Sequence, residues 1–286
     1  MTGPSRRSRP GRRSGTGRRI VLVGGLAVFA IWTVVPIAWI LETSVKPNKD
    51  LYGEPGILPK TVTAEHYVEL FTDTDFLTYF TNSLLVSFGT TALSMVIGVL
   101  AAYAVTRLRF RGRRLMGNVT IVTYLIPPAL LFIPLFQVAA QFGFTNSTLG
   151  LIPIYLIFSV PFCTWLSIAH LQAIPIELEE ASLVDGCTRL QSLVRIVVPL
   201  LLPALAVIAL YAFTQAWNEF LYALILISTD SRKTLPVGLA DFVVGDVYNW
   251  GPLMAGSAIA SLVPVLIYVA AQRWVVSGLT AGATKG

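Results

Sequence analysis

Charge is the scarcest ingredient of this 286-residue sequence. Asp, Glu, Lys and Arg together make up 13% of it, about half the share of a soluble domain. Set against 55% hydrophobic residues, that scarcity excludes an ordinary soluble protein. Cysteine is nearly absent. Cys163 falls in an apolar run and Cys187 in a polar one, so no disulfide framework is expected. Histidine is equally sparse: His66 and His170 stand far apart with no ligand cluster around them, and no metal site is expected. There is no G-x-x-x-x-G-K-[ST], no H-E-x-x-H and no G-x-S-x-G. The chain therefore has no such loop for ATP phosphates and no signature of an intramembrane hydrolase. The net charge of +6 raises a nucleic-acid partner, but positive-inside membrane topology accounts for it and no nucleic acid is expected.

What is present is apolar sequence in long runs. Six segments stand out: Ile20–Leu41, Asn82–Val105, Met116–Ala140, Leu149–Leu171, Pro199–Ile227 and Pro252–Val276. Each is near or above the roughly 20 residues that cross a bilayer as a helix. Backbone groups in hydrocarbon must pair within their own segment, so helices are expected. The alternating pattern of a transmembrane barrel is absent. The fold class is an all-α integral membrane protein with six transmembrane helices. Pro127, Pro128, Pro134, Pro153 and Pro161 predict kinks whose open backbone groups need packed neighbours.

Arginine sets the orientation. Arg6, Arg7, Arg9, Arg12, Arg13, Arg18 and Arg19 precede the first run, and Arg107, Arg109, Arg111, Arg113 and Arg114 join the second to the third. Arg189, Arg195, Arg273 and Lys285 fall on the same side, against Lys46, Lys49, Lys60, Arg232 and Lys233 on the other. Both termini are expected in the cytoplasm. A signal peptide is the rival reading of the N-terminus, and Arg18–Arg19 also fit a twin-arginine signal. No small-residue cleavage site closes the run, so residues 1–19 read as a disordered basic tail near anionic lipid. Residues 20–286 read as one transmembrane domain. Two outer segments have size. Residues 42–79 carry seven carboxylates, and residues 228–251 contain Asp241, Asp246, Tyr248 and Trp250. Loops of that length tend to be functional or disordered.

Between the fourth and fifth runs, residues 172–198 form an expected cytoplasmic loop with its own pattern. Pro175 suits a first helical position. Glu177, Glu179 and Glu180 follow, where a helix dipole favours negative charge. Gly186 suits the left-handed residue that ends a helix. Leu190, Leu193, Val194 and Val197 then recur at helical spacing. On the residues alone, this is either a surface offered to another protein or a well-capped connection.

The stretch Glu180–Ala181–Ser182, three residues, Gly186, nine residues, then Ile196–Val197–Val198–Pro199 resembles the signature loop of bacterial ABC-importer permeases. That signature is Glu-Ala-Ala, three residues, Gly, nine residues, Ile-x-Leu-Pro. Ser182 and Val198 are departures, both mild in size. Trp217–Asn218–Glu219–Phe220–Leu221 resembles a segment of sugar-importer permeases. The end of the chain, Gly278–Leu279–Thr280–Ala281–Gly282–Ala283–Thr284–Lys285–Gly286, resembles the C-terminus of the smaller maltose-type permease subunit. The resemblance covers nearly the whole chain after residue 20. It implies a multi-pass protein of the bacterial cytoplasmic membrane that imports a sugar or oligosaccharide and has no ATPase site of its own. It implies four partners besides lipid: a second permease subunit, two copies of an ATPase that binds ATP-Mg, and an external sugar-binding protein. Glu180, Ala181, Ser182, Gly186, Ile196 and Pro199 would meet the ATPase, and Gly278, Leu279, Thr280 and Gly282 would reach into its dimer interface.

Glu219 is the lone carboxylate expected inside a span, and an intramembrane ionisable residue is a functional candidate. It could line a translocation path with Trp217 and Asn218, fix helix packing, or serve as an ion site. The last reading would make the chain an ion-coupled secondary carrier, for which inverted repeats are typical; none is visible. Tyr103, Tyr124, Tyr155, Phe158 and Trp165 could stack on sugar rings, although core packing and interfacial belts are the favoured account.

Overall fold

A computed structural model describes residues 15–52, 59, 61–244 and 247–283. Most of the expected N-terminal tail and the final three residues lie outside them. Apart from a hairpin of two two-residue strands, the described chain is helical. Helix α1 is Gly15–Ser44, and the short α2 (Asn48–Leu51) and α3 (Glu65–Thr72) follow it. Next come α4 (Phe76–Arg107), α5 (Arg113–Tyr124), a 3₁₀ turn at Pro128–Leu131, α6 (Phe132–Gln141) and α7 (Leu151–Leu171). Helices α8 (Glu177–Val184) and α9 (Arg189–Ser192) lead through a π-helical turn at Leu193–Val197 into α10 (Val198–Trp217). The chain ends with α11 (Leu221–Leu226), α12 (Leu235–Ala240), strands β1 (Val243–Val244) and β2 (Val247–Tyr248), and α13 (Trp250–Ala283). The strands pair antiparallel, Val243 opposite Tyr248 and Val244 opposite Val247.

Among the described residues, five helical segments are long and apolar enough to cross a membrane, and a bent pair makes six if it is one span. The bent pair takes the place of the expected single run Met116–Ala140, and the kink expected at Pro127–Pro128 is a sharp one: Arg113–Tyr124 and Pro128–Gln141 meet at 95°. The cause is local. Pro127 is extended, at φ −60° and ψ 123°, and the Pro127–Pro128 pair withdraws two N–H groups and disfavours helix at the residue before each ring. The expected run Pro199–Ile227 is also interrupted. Helix α10 stops at Trp217 and α11 starts at Leu221. In exchange, α9, the π turn and α10 form one continuous segment, Arg189–Trp217.

Helix α4 is the hub. It packs along α7 and across α10, and its inward face carries small residues: Ser83, Ser87, Thr90, Ser94, Gly98 and Ala102 are all buried. Small residues let membrane helices approach closely where lipid provides no hydrophobic drive. A Cβ on Gly98 would lie 2.8 Å from Cys163 Cβ and 3.1 Å from backbone atoms of α7. Three core clusters follow. Leu151, Ile154, Tyr155, Tyr222 and Leu226 pack where α6, α7 and α11 meet. Val99, Cys163, Leu171, Val197 and Ile208 fill the space between α4, α7 and α10. Leu70, Phe76, Phe213, Trp217 and Ala255 join α3, α4, α10 and α13.

The segment after α11 is built rather than loose. Ser83 Oγ accepts from Leu235 N at 2.7 Å, and Asn82 Nδ2 donates to the carbonyls of Ser231 and Lys233. Lys233 Nζ reaches Asp230 at 2.8 Å and Asp241 at 2.7 Å. Burial works against that ammonium, but the two carboxylates outweigh it and hold its pKa above the ordinary lysine range.

Candidate coupling surface and membrane cavity

Helix α8 carries Glu177, Glu179 and Glu180 in its first turn, where the helix dipole favours them. Its start differs slightly from the sequence expectation: Pro175 lies before Ile176, the residue that caps the helix, rather than inside it. Its end is as the glycine suggests. Gly186 has φ +88°, Cys187 N donates to Ser182 O at 3.0 Å, and Gly186 N donates to Leu183 O at 3.1 Å. These two bonds form a Schellman closure. Helix α9 opens with a reciprocal cap: Gln191 N donates to Thr188 Oγ1 and Thr188 N to Gln191 Oε1, satisfying two otherwise open donors.

Two interactions moor this helix–turn–helix to the membrane helices. Arg107, in the last turn of α4, donates from Nε to Glu179 Oε1 at 2.5 Å. Its Nη2 donates to the carbonyls of Leu171 and Ile174 at 2.9 and 2.8 Å. The side chains of Arg107 and Glu179 are only 10% and 6% exposed. The second interaction lies within the motif: the hydroxyls of buried Ser182 and Ser192 sit 2.7 Å apart and tie α8 to α9. Ser182 is therefore more than a small departure from alanine. Glu180, Ala181 and Gly186 remain exposed, as does Pro199, while Ile196 is half-buried. Leu178, Leu183 and Val184 are exposed beside them, Val184 at 87%. The result is a free face, part acidic and part apolar, on a braced helix.

The second region lies where the two interruptions meet. Glu219 lies just past the end of α10 and caps the start of α11: its Oε1 accepts from Tyr222 N at 2.9 Å and its Oε2 from Ala223 N at 3.2 Å. Tyr222 in turn donates from its hydroxyl to Pro128 O at 2.7 Å, joining the two breaks. Beside this bond lies a cavity of about 340 Å³ lined by Tyr155, Phe158, Gln215, Asn218, Glu219 and Phe220 among others. Irregular backbone at membrane depth is tolerated where it is buried in protein or lines a water-filled cavity.

Of the three path candidates, the structure brings Asn218 and Glu219 to the cavity and places Trp217 elsewhere. Trp217 is 3% exposed, donates Nε1 to Ala260 O at 3.2 Å and stacks on Phe213. Of the aromatics, Tyr155 and Phe158 line the cavity. Tyr103 is in the core, and Tyr124 and Trp165 both pack on Phe162. Gly278, Leu279, Thr280 and Gly282 continue α13. Among the described residues, no group of three or more His, Cys, Asp or Glu gathers to hold a metal.

A moored helix at one end, broken helices around a largely apolar cavity with a few polar groups, and five or six helices long and apolar enough to cross a membrane among the described residues fit a membrane transport component. Residues 94–281 match the family of binding-protein-dependent transport system inner membrane components, and the chain belongs to that family. It is 38% identical to the inner membrane ABC transporter permease protein YcjP of Escherichia coli over 94% of this chain and 97% of the relative. It is 34% identical to the trehalose/maltose transport system permease protein MalG of Thermococcus litoralis over 94% and 98%. Its fold is similar to that of a bacterial ABC transporter involved in importing the acidic polysaccharide alginate. The TM-score is 0.79 at 23% identity, over 94% of this chain and 100% of that one. The chain is thus a multi-pass inner-membrane permease subunit of an ABC importer, and the secondary-carrier reading finds no support among its relatives.

Proposed function

We propose that the chain passes a sugar or oligosaccharide inward as one of two permease subunits, energised by ATP that a separate pair of ATPase subunits binds and hydrolyses. The arginine-rich end is cytoplasmic, as are both termini, and the chain crosses the membrane six times with the bent pair as the third span. The observation that carries this reading is α8: its free face is moored from behind by the Arg107–Glu179 pair. A helix held this way moves as a body with whatever grips it. On the residue pattern, Glu180, Ala181, Ser182, Gly186, Ile196 and Pro199 form the ATPase-facing loop within residues 172–198, and Gly278–Gly282 reach the ATPase dimer interface.

The route of the motion follows from continuity. ATP-driven closure of the ATPases displaces α8 and, through Ser182 and Ser192, α9. Helix α9 is continuous with α10, and a 29-residue helical segment is a rod of roughly 43 Å at 1.5 Å per residue. Its far end is Trp217, next to the break at Asn218–Glu219. Displacement at the cytoplasmic face therefore reaches the cavity without passing through a loop. On the other side of the membrane, the braced segment 228–251 is the surface that receives the loaded binding protein.

The test is ATP-dependent uptake into proteoliposomes holding this chain, its partner permease and the ATPase, with binding protein outside. Gly186→Asp is expected to abolish uptake while the protein still reaches the membrane. Sugar uptake at the unsubstituted rate by that variant would sink the proposal.

A further inference from the structure

We infer that the cavity between Pro128 and Glu219 is a substrate subsite in this chain, built for an uncharged sugar ring and against an acidic one. The inference rests on the importer reading and adds the class of substrate.

Three observations carry it. Both breaks in the membrane-crossing helices converge on this cavity and are tied together by the Tyr222–Pro128 bond. The polar groups there have capacity to spare. Each Glu219 oxygen accepts one backbone N–H and keeps room for a further donor. The buried Tyr155 hydroxyl faces the Glu219 carboxylate without reaching full hydrogen-bond geometry to it. Asn218 lines the cavity and is exposed; among the described residues its side-chain amide has no partner. Finally, among the described residues the cavity lining holds one carboxylate and no Lys, Arg or His.

Each observation selects a property of the ligand. Glu219 accepts hydrogen bonds and so wants a donor such as a hydroxyl, while the Asn218 amide can donate back and the Tyr155 oxygen can accept. Rings of Phe158, Phe220 and Tyr222 supply apolar wall. A few convergent polar groups on an aromatic lining is how a small-molecule site fixes orientation. A sugar ring, with hydroxyls at its edge and C–H groups on its face, meets both demands. A uronate would bring a second negative charge to Glu219 with no cation in the lining to offset it, and like charges are strongly repelled in a low-dielectric site. A fold shared with an importer of acidic polysaccharide does not carry that substrate class across.

The experiment uses the whole complex in lipid nanodiscs, without binding protein so that its selectivity plays no part. In a Cys187→Ser background, which leaves the fully buried Cys163, Gln215→Cys supplies a thiol in the cavity wall for reaction with a maleimide. Maltose, trehalose and cellobiose are the neutral probes and digalacturonate the acidic one. At least one neutral disaccharide is expected to slow labelling about tenfold, and digalacturonate is not. Adding Tyr155→Phe or Glu219→Gln is expected to remove that protection while the complex still elutes intact. Labelling that no neutral sugar slows, or that digalacturonate slows equally, overturns the inference even if ATP-driven uptake persists. Absence of ATP-driven uptake of any of these sugars by the unsubstituted complex would instead bring down the importer reading, and the subsite with it.

Discussion

Arg107 and Glu179 are a buried pair, and their energetics are asymmetric. Desolvation offsets most of the attraction, so the pair adds little net stability, yet removing one partner strands a charge at a cost of about 3–5 kcal/mol. Arg107→Ala is therefore expected to lower the melting temperature of the detergent-solubilised complex clearly, with Glu179→Ala similar. Arg107→Lys separates mooring from charge. An ammonium keeps the ion pair but lacks the planar fork that also reaches Leu171 and Ile174. We expect that variant to assemble and hydrolyse ATP while carrying less sugar per ATP, measured as the ratio of uptake to phosphate release. An unchanged ratio would mean the pair only holds the fold. None of this was readable beforehand. Glu180 and Gly186 stood out by spacing, but Arg107 belongs to a run of arginines that topology alone explains, and its partner lies 72 residues away. Ser182 likewise looked like a slightly enlarged alanine until its hydroxyl was seen against Ser192. Glu219 was visible as a carboxylate among apolar residues, whereas its role in capping α11 was not, because the apolar pattern runs on through Leu221–Ile227.

At the scale of elements, the closure of α8 isolates what Gly186 contributes. Its φ of +88° suits glycine, and a Cβ there would meet nothing within 4 Å, so space is not the constraint. Asn and Asp tolerate the left-handed region better than other side-chain-bearing residues, so a Gly186→Asn and Gly186→Asp pair differs mainly in charge on the docking face. If uptake survives Asn and fails with Asp, repulsion at the ATPase contact is responsible; loss with both points to the backbone turn. Gly238, in α12, is the opposite case: a Cβ there would collide with the Tyr79 ring. Gly238→Ala is expected to push α12 off α4 and weaken stimulation of ATP hydrolysis by loaded binding protein, leaving basal hydrolysis intact. The elements themselves were largely legible, because long apolar runs leave the backbone no option but helix. The bend at Pro127–Pro128 was foreshadowed as a kink, but a right-angle turn depends on what α6 and α11 pack against. Residues 228–251 looked like open loop because α12 and the hairpin are too short to show a period.

For the whole molecule, sidedness is the proposition to measure. Single cysteines at Gln191 and Ser231 in a Cys187→Ser background should label from opposite faces of sealed vesicles with an impermeant maleimide; labelling from one face would overturn the six-span topology. Architecture also bears on how the molecule is made. Helix α1 has no buried residue in its apolar stretch and lies chiefly along α13, which is synthesised far later. At ~5–20 residues per second, the interval between Ser44 and Trp250 leaving the ribosome lasts on the order of ten to forty seconds. For that time α1 must wait in the bilayer without its companion, solvated by lipid tails on every side. A polar stripe would be a hazard during such a wait, and residues 20–41 carry none. The greasiness of the first helix is thus suited to biogenesis as much as to the finished transporter, and a polar substitution there should show first as degraded nascent protein rather than as slowed uptake.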